Sequence, residues 1–401
     1  MLPRRSVSVS VSAAGACTAL LLAAVPASSA VADEPAPLGT VRGADNPLAI
    51  DGSYIVVLKH GAPSAKSGEA RKLSAEFGGS VRRTFGAALN GFTIEATATE
   101  ARRIAADPSV AFVEQNSVEH ADATQSSPTW GLDRIDQASL PLSGTYSYST
   151  TASNVTAYIV DSGIRISHSD FGGRASYGYD FVDGDTVASD CNGHGTHTAG
   201  TVGSATYGVA KGVSLVAVRV LNCSGSGTTA NVIAGYDWVA ANAQLPAVAN
   251  VSIGGSASDA KDAAVAGMVD AGVTVAVSAG NDAVEACDQS PAREPSVITV
   301  ASTTSADARS SFSNYGTCVD LFAPGSSITS LGYSSDTATA VKSGTSMATP
   351  HVAGAAALYL AKHPSASPAT VTAAIEAAAT TGAVTNAGTS SPNLLLNTTG
   401  F

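Results

Sequence analysis

The sequence predicts an α/β protein with a mostly parallel central sheet covered by helices on both faces, preceded by a smaller α/β unit. Three observations lead there. Runs such as "NVTAYIVDSG" (154–163) and "GVTVAVSAGN" (272–281) are continuously apolar, which marks strands buried on both sides. Helical patterns, notably 229–243 and 257–272, lie between such runs, the alternation that makes parallel sheets. At 401 residues with 44% hydrophobic and only 13% charged residues, the chain can bury one large core and a smaller one.

The elements follow in chain order. Arg4 and Arg5 precede an apolar stretch and then small residues before Asp33, the pattern of a secretory signal over 1–32 cut after Ala32. Cys17 sits inside that stretch and is not read as a lipid anchor. No later stretch of about 20 apolar residues predicts a membrane span. Residues 33–48 read as a linker. "SYIVVLK" (53–59) alternates like a strand, and 65–78 reads as a short helix closed by Gly78 and Gly79. "GFTIEAT" (91–97) is a second strand. A helix capped by Thr99 ends before Pro108, and 110–120 is a last strand or extended tail. This order predicts a ferredoxin-like unit. Residues 121–131 are small and polar, an accessible linker. Beyond Trp130, strands are expected over 154–163, 212–221, 247–255, 272–281 and 296–303.

The net charge of −11, with no long basic stripe, argues against nucleic-acid binding. Without Cys17, four cysteines remain: Cys191, Cys223, Cys287 and Cys318. An even count in a secreted chain reads as two disulfides, with three possible pairings.

Sites in parallel α/β folds gather at the carboxyl ends of strands, where Asp161 and Asn281 both fall. A buried aspartate is costly unless paired. In "NGHGTHTAG" (192–200), glycines bracket His194 and allow close backbone approach. His197 could share a helical face with it, but no Glu follows His194 as zinc hydrolysis by an HExxH pair would need. In "SGTSMATPHVAGAAALYLAKH" (343–363), Ser346 stands where a helix begins, at the positive end of the helix dipole. A plain helix cap explains Ser346 alone. It does not explain the small residues around it. Pro350 is expected in the first turn, where a missing N–H costs little.

The order Asp161, His194, Ser346 on an α/β pattern is that of subtilisin. "YIVDSGI", "NGHGTHTAGTVG" and "SGTSMATPHVAG" resemble the three catalytic motifs of the subtilase family of serine proteases. "WGLDRIDQ" (130–137), "VSIGG" (251–255) and "SFSNYGTCVDLFAPG" (311–325) are similar to its proteinase-K branch, especially aqualysin-like enzymes. The likeness runs from about residue 123 to near the C-terminus. Residues 50–118 resemble the family's inhibitory propeptide, within a propeptide over 33–122 ahead of a peptidase domain over 123–401.

The resemblance implies a three-layer subtilisin-like fold and a set of roles. Ser346 would be the nucleophile, His194 its base, Asp161 the orienting carboxylate, and Asn281 an oxyanion donor beside the Ser346 N–H. Substrate would lie extended between 251–255 (Ser252, Gly254, Gly255) and 223–227 (Gly225, Ser226, Gly227). Gly254, Gly255 and Gly280 would leave room for the P1 side chain. With no charge evident there, an apolar or aromatic P1 residue is expected. The resemblance pairs Cys191 with Cys223 and Cys287 with Cys318. It implies calcium held by Asp320 with the Pro295 and Val297 carbonyls, an oxygen set suited to that ion. It also suggests a second calcium site at Asp133, Asp136 and Gln137, where later acidic ligands give way to Ser143 and Thr145 and a plain solvated turn is an equal reading. No organic cofactor is implied.

The expected protein is thus a secreted, monomeric endopeptidase of protein and peptide substrates. Its own propeptide would serve as chaperone and inhibitor, cut near Asp122–Ala123. A secreted binding protein on the same scaffold is the competing reading, disfavoured by an intact set of catalytic residues. An α/β-hydrolase esterase would need Ser before His and a G-x-S-x-G elbow, and Ser346 has neither.

Overall fold

A computed structural model describes residues 38–44, 46, 49–118 and 123–401. The expected signal segment and most of the first linker lie outside the described residues, as do residues 119–122. The contacts divide into two units, one mainly 51–116 and one mainly 117–401.

The smaller unit follows the order strand Ala49–Leu58, helix Glu69–Phe77, strands Ser80–Phe85 and Gly91–Glu95, helix Ala98–Ala105, strand Val110–Ser117. Ala49–Leu58 lies between Val110–Ser117 and Gly91–Glu95, and Ser80–Phe85 forms an edge, the ferredoxin-like arrangement. Tyr54, Val56, Phe92 and Ile94 pack under Leu73 and Ile104. The strand Ser80–Phe85 has no counterpart in the sequence reading. It carries Arg82 and Arg83, and none of its six residues is buried, so no apolar pattern betrays it. The second helix is capped by Thr97, not Thr99. Thr97 accepts from the Glu100 N–H, and the Glu100 carboxylate accepts from the Thr97 N–H at 2.7 Å. This reciprocal box satisfies two otherwise orphaned donors, which Thr99 could not do from inside the helix.

The larger unit is built on a nine-stranded sheet. Its centre runs Leu321–Pro324, Ile298–Thr303, Thr274–Ser278, Ala247–Val251, Thr156–Asp161, Ser214–Arg219, Ala175–Asp180, all parallel. Ala247–Val251, Thr274–Ser278 and Ile298–Thr303 are buried at every position. That is why they show no alternation in sequence. Two cores flank the sheet. One gathers helices His194–Gly203 and Thr345–Lys362 with Ile159, Leu215 and Val300. The other gathers helices Thr229–Asn242 and Asp259–Asp270 with Val160, Val218 and Val277. The expected strands and helices of this unit are all present, with ends shifted by a few residues. The three layers place the carboxyl ends of Thr156–Asp161 and Thr274–Ser278 beside the starts of the two helices of the first core.

Candidate active site

The strand Thr156–Asp161 ends in a fully buried carboxylate. Its charge is met on both oxygens. His194 Nδ1 lies 2.8 and 2.9 Å from Oδ1 and Oδ2. The Ser162 N–H donates to Oδ1 at 2.7 Å and Thr198 Oγ1 to Oδ2 at 3.3 Å. A carboxylate-facing Nδ1 carries the proton, which leaves Nε2 of the neutral ring as a base. Burial presses the imidazole towards neutrality, but the Asp161 charge and hydrogen bond outweigh it and hold His194 above the usual histidine range. The contact needs Gly195. A Cβ there would stand 2.2 Å from the Gly163 carbonyl oxygen and 3.1 Å from the Asp161 Cβ.

Asp190, which the sequence reading passed over, joins these two segments. Its Oδ1 accepts from Ser162 Oγ, the Asn192 N–H and the Gly193 N–H at 2.9, 2.9 and 2.8 Å. Its Oδ2 accepts from the Thr196 N–H and Oγ1 at 2.9 and 2.5 Å. Ser162 Oγ in turn accepts from the Gly195 N–H at 2.9 Å. The helix His194–Gly203 begins after Gly193, which has no side chain to cap it. Asp190 supplies that cap from outside, with negative charge at the positive helix end. Asp-x-Asn-Gly before a helix is a turn-and-cap signal that could have identified it. Asp190→Asn turns an N–H₂ towards one of these donors. It is expected to cost about 1.5–3 kcal/mol of stability, read by denaturant unfolding. It also removes a negative charge near His194, so the acid limb of kcat/KM moves to lower pH. An unmoved limb would leave Asp190 a purely structural role.

His197 does not join His194. Its Nε2 donates to the Ile328 and Ala340 carbonyls at 3.0 and 3.2 Å, and burial lowers its pKa to about 4. It is a neutral core residue.

Ser346 is the second residue of helix Thr345–Lys362, so its N–H has no intrahelical acceptor. Pro350 is the sixth residue and therefore lies in the second turn, not the first as the sequence suggested. Its missing N–H frees the Ser346 carbonyl, and Ser252 Oγ donates there instead at 2.9 Å. Asn250 Nδ2 holds that hydroxyl at 2.9 Å. The proline thus opens a place for a cross-link between the Ser346 segment and the strand that ends at Val251. Ser346 Oγ donates to the Ser252 carbonyl at 3.0 Å, so at rest its proton is directed there and not at His194. His194 and Ser346 nevertheless line one cleft of about 780 Å³, with Ser252, Gly254, Gly255, Gly225, Ser226 and Gly227. Cys191–Cys223 and Cys287–Cys318 are the disulfides. The first ties the His194 segment to the 223–227 edge, helped by Asn192 Nδ2 donating to the Cys223 carbonyl at 3.1 Å.

Asn281 follows the strand Thr274–Ser278. Its Oδ1 accepts from the Thr345 N–H at 2.8 Å and from Thr345 Oγ1 at 3.0 Å. With the carbonyl end so held, Nδ2 is the free end of the amide. Gly280 before it has φ +105°, and a Cβ there would lie 2.3 Å from Asn314 Nδ2. Gly254, Gly255, Gly280, Asn281 and Ser346 border a side recess of about 500 Å³. Asp282, Asp288 and Gln289 border it too, so the recess is not free of charge as its glycines alone implied.

The two expected metal sets differ in fit. Among the described residues no cluster of three or more His, Cys, Asp or Glu could hold a metal. Asp320, at the amino end of Leu321–Pro324, has one backbone donor, the Thr299 N–H at 2.7 Å. Burial pushes its carboxyl up to about 6. Pro295 and Val297 lie just ahead of the adjacent strand Ile298–Thr303. A desolvated carboxylate is the kind of oxygen donor a hard cation takes. In the second set most donors are already engaged, while Asp136 Oδ1 is buried without a partner among the described residues. Asp133 receives the Ser143 N–H and Oγ–H and the Gly144 N–H at 2.9, 3.1 and 2.9 Å. Gln137 Oε1 accepts from the Ser143 N–H at 2.9 Å, and its amide donates to the Ser139 and Pro141 carbonyls. Asp136 accepts from the Ser147 N–H at 2.7 Å. These side chains close a turn.

The likeness to known proteins agrees with this geometry. Residues 152–397 match the Subtilase family and residues 53–122 match Peptidase inhibitor I9. An extracellular serine proteinase of Thermus sp. (strain Rt41A) is 52% identical over 375 residues, 89% of this chain and 92% of that protein. Alkaline serine exoprotease A of Vibrio alginolyticus is 49% identical, over 84% of this chain and 65% of that protein. The crystal structure of a cold adapted subtilisin-like serine proteinase superposes with a TM-score of 0.67 at 54% identity, covering 69% of this chain and all of that one. The chain therefore belongs to the subtilase family of serine proteases and carries an I9 inhibitor domain ahead of its peptidase domain.

Proposed function

We propose that this chain is a secreted, self-processed endopeptidase acting through Asp161, His194 and Ser346. The observation that carries the reading is the Asp161–His194 pair opening on the same cleft as a serine at a helix start. Ser346 Oγ attacks the peptide carbonyl as its proton passes to His194 Nε2. Asp161 holds the ring and stabilises the imidazolium. The oxyanion forms between Asn281 Nδ2 and the Ser346 N–H. His194 then protonates the leaving amine, and water releases the acyl group by the reverse sequence. The peptide lies extended between 251–255 and 223–227, with an apolar or aromatic P1 side chain in the recess. Covalent labelling by a fluorophosphonate tests the reading. A mature protein that does not label would be a binding protein on a protease scaffold.

The boundary near Asp122–Ala123 is supported by the strand Ala123–Ser126, which pairs with Thr145–Tyr148 in the larger unit. A cut there leaves the new N-terminus anchored in the peptidase. The domains are then a signal (1–32), a propeptide (33–122) that assists folding and inhibits, and the peptidase (123–401), active as a monomer. Among the described residues no helix is long and apolar enough to cross a membrane.

Calcium would be held by Asp320 with the Pro295 and Val297 carbonyls. Calcium at a hundredfold over its Kd stabilises by about 2.7 kcal/mol. Melting with calcium and with chelator should show that difference in the natural protein and lose it in Asp320→Asn. Without calcium, Asp320→Asn should be no less stable, because burial already disfavours the charged carboxyl and Asn keeps an acceptor for Thr299.

A further inference from the structure

Asn250 breaks the pattern of its strand. Ala247–Val251 is buried at every position, with Ala249 and Val251 in the core on one face and Val248 in the core on the other. Asn250 shares the face of Val248, the side of helix Thr345–Lys362, where an apolar residue would be expected. It is fully buried, and its Oδ1 has no hydrogen-bond partner among the described residues, an arrangement that costs stability. The other end of the amide is engaged. Nδ2 lies 2.9 Å from Ser252 Oγ, which lies 2.9 Å from the Ser346 carbonyl oxygen. A carbonyl only accepts, so the one proton of Ser252 Oγ goes to Ser346, and Asn250 must donate to the hydroxyl from behind. In an uninterrupted helix the N–H of residue 350 would fill that carbonyl, and Pro350 has none. Ser346 Oγ in turn donates to the Ser252 carbonyl at 3.0 Å, so residues 252 and 346 hold each other twice. The bond from Ser346 Oγ has to break when that hydroxyl turns to His194. The bond from Ser252 Oγ does not.

We propose that the side chains of Asn250 and Ser252 are positioning residues for the nucleophile, a relay that keeps the Ser346 backbone fixed while its hydroxyl leaves the Ser252 carbonyl for His194. The inference rests on the protease reading above and deepens it. Asn250 aims the Ser252 proton, and Ser252 Oγ fills the carbonyl that Pro350 strands. The Ser346 N–H, the oxyanion donor of that reading, belongs to the same residue. A loosened carbonyl therefore blurs the aim of both the nucleophile and the donor. Asn250 is not on the wall of the cleft, so its loss should fall on kcat and spare KM. A residue that only braced the core would show in the melting temperature instead.

The test is fluorophosphonate titration of the mature enzyme, then kcat and KM per titrated site and a melting curve. Ser252→Ala should lower kcat by about tenfold to a hundredfold, the range for a small misplacement at a reacting centre, with KM within about twofold. Asn250→Leu should lower kcat by about threefold to tenfold and melt no lower than the natural protein, since it removes a buried amide whose oxygen is unpaired among the described residues. The deciding measurement is a cycle with Pro350. In the Pro350→Ala background the N–H of residue 350 can fill the Ser346 carbonyl, so Ser252→Ala should cost about twofold or less. An equal cost in both backgrounds overturns the inference, as does an unchanged kcat per titrated site in Ser252→Ala or in a folded Asn250→Leu. Should Asn250→Leu fold poorly, the Ser252 cycle decides alone. A natural protein that does not label refutes the protease reading instead.

Discussion

Ser346→Ala is expected to lower kcat by about 10⁶-fold, the scale known for loss of a triad serine, and to leave the precursor uncut. The residual rate would come from the oxyanion donors and from binding. Folding should survive the change. Ser346 Oγ makes one hydrogen bond, to the Ser252 carbonyl, worth about 1 kcal/mol. The cross-link from Ser252 Oγ goes to the Ser346 backbone and is kept. Inactivity would therefore not reflect unfolding, and a melting curve close to that of the natural protein checks this. Mass spectrometry of the purified variant should find residues on both sides of Ala123 in one chain. A correctly trimmed N-terminus in that preparation, with no protease added, would sink self-processing while leaving the triad to be judged by the rate.

What the sequence made legible was what local pattern encodes. Strands buried on both faces, such as Thr274–Ser278, are continuous apolar runs and could hardly be anything else. The three segments proposed to carry the catalysis were legible because each combines a reactive side chain with glycines or small residues at fixed spacing. Features set by distant partners were not. The edge strand Ser80–Phe85 has too little burial to shape its composition. Asp190 looks like an ordinary loop aspartate until Ser162 and Thr196 are brought to it from both sides. Pro350 seemed harmless in a first turn, whereas it sits in the second and depends on Ser252, 94 positions away in sequence, to satisfy the carbonyl it strands. The recess looked uncharged because the reading stopped at its glycines, whereas Asp282, Asp288 and Gln289 border it too.

The same distinction bears on the oxyanion site. Asn281→Ala should lower kcat by about 10²–10³-fold, or about 2.7–4 kcal/mol, the loss known for such a donor in subtilisin, with KM little changed. The reason is that the amide meets charge that exists only in the transition state. The donor works only if it is aimed, and the aim is set from the far end. The Thr345 N–H and Oγ1 both bind Asn281 Oδ1, and Thr345 Oγ1 also accepts from the Gly280 N–H at 3.2 Å. Thr345→Val keeps the first anchor and loses the second, so it should cost a smaller factor, about three- to tenfold in kcat. Thr345→Ser keeps the hydroxyl and should restore most of the rate. In the Asn281→Ala background, Thr345→Val should add almost nothing, because no amide is left to aim. If the two losses instead multiply, Thr345 acts on something other than Asn281, and the amide is held by the backbone alone.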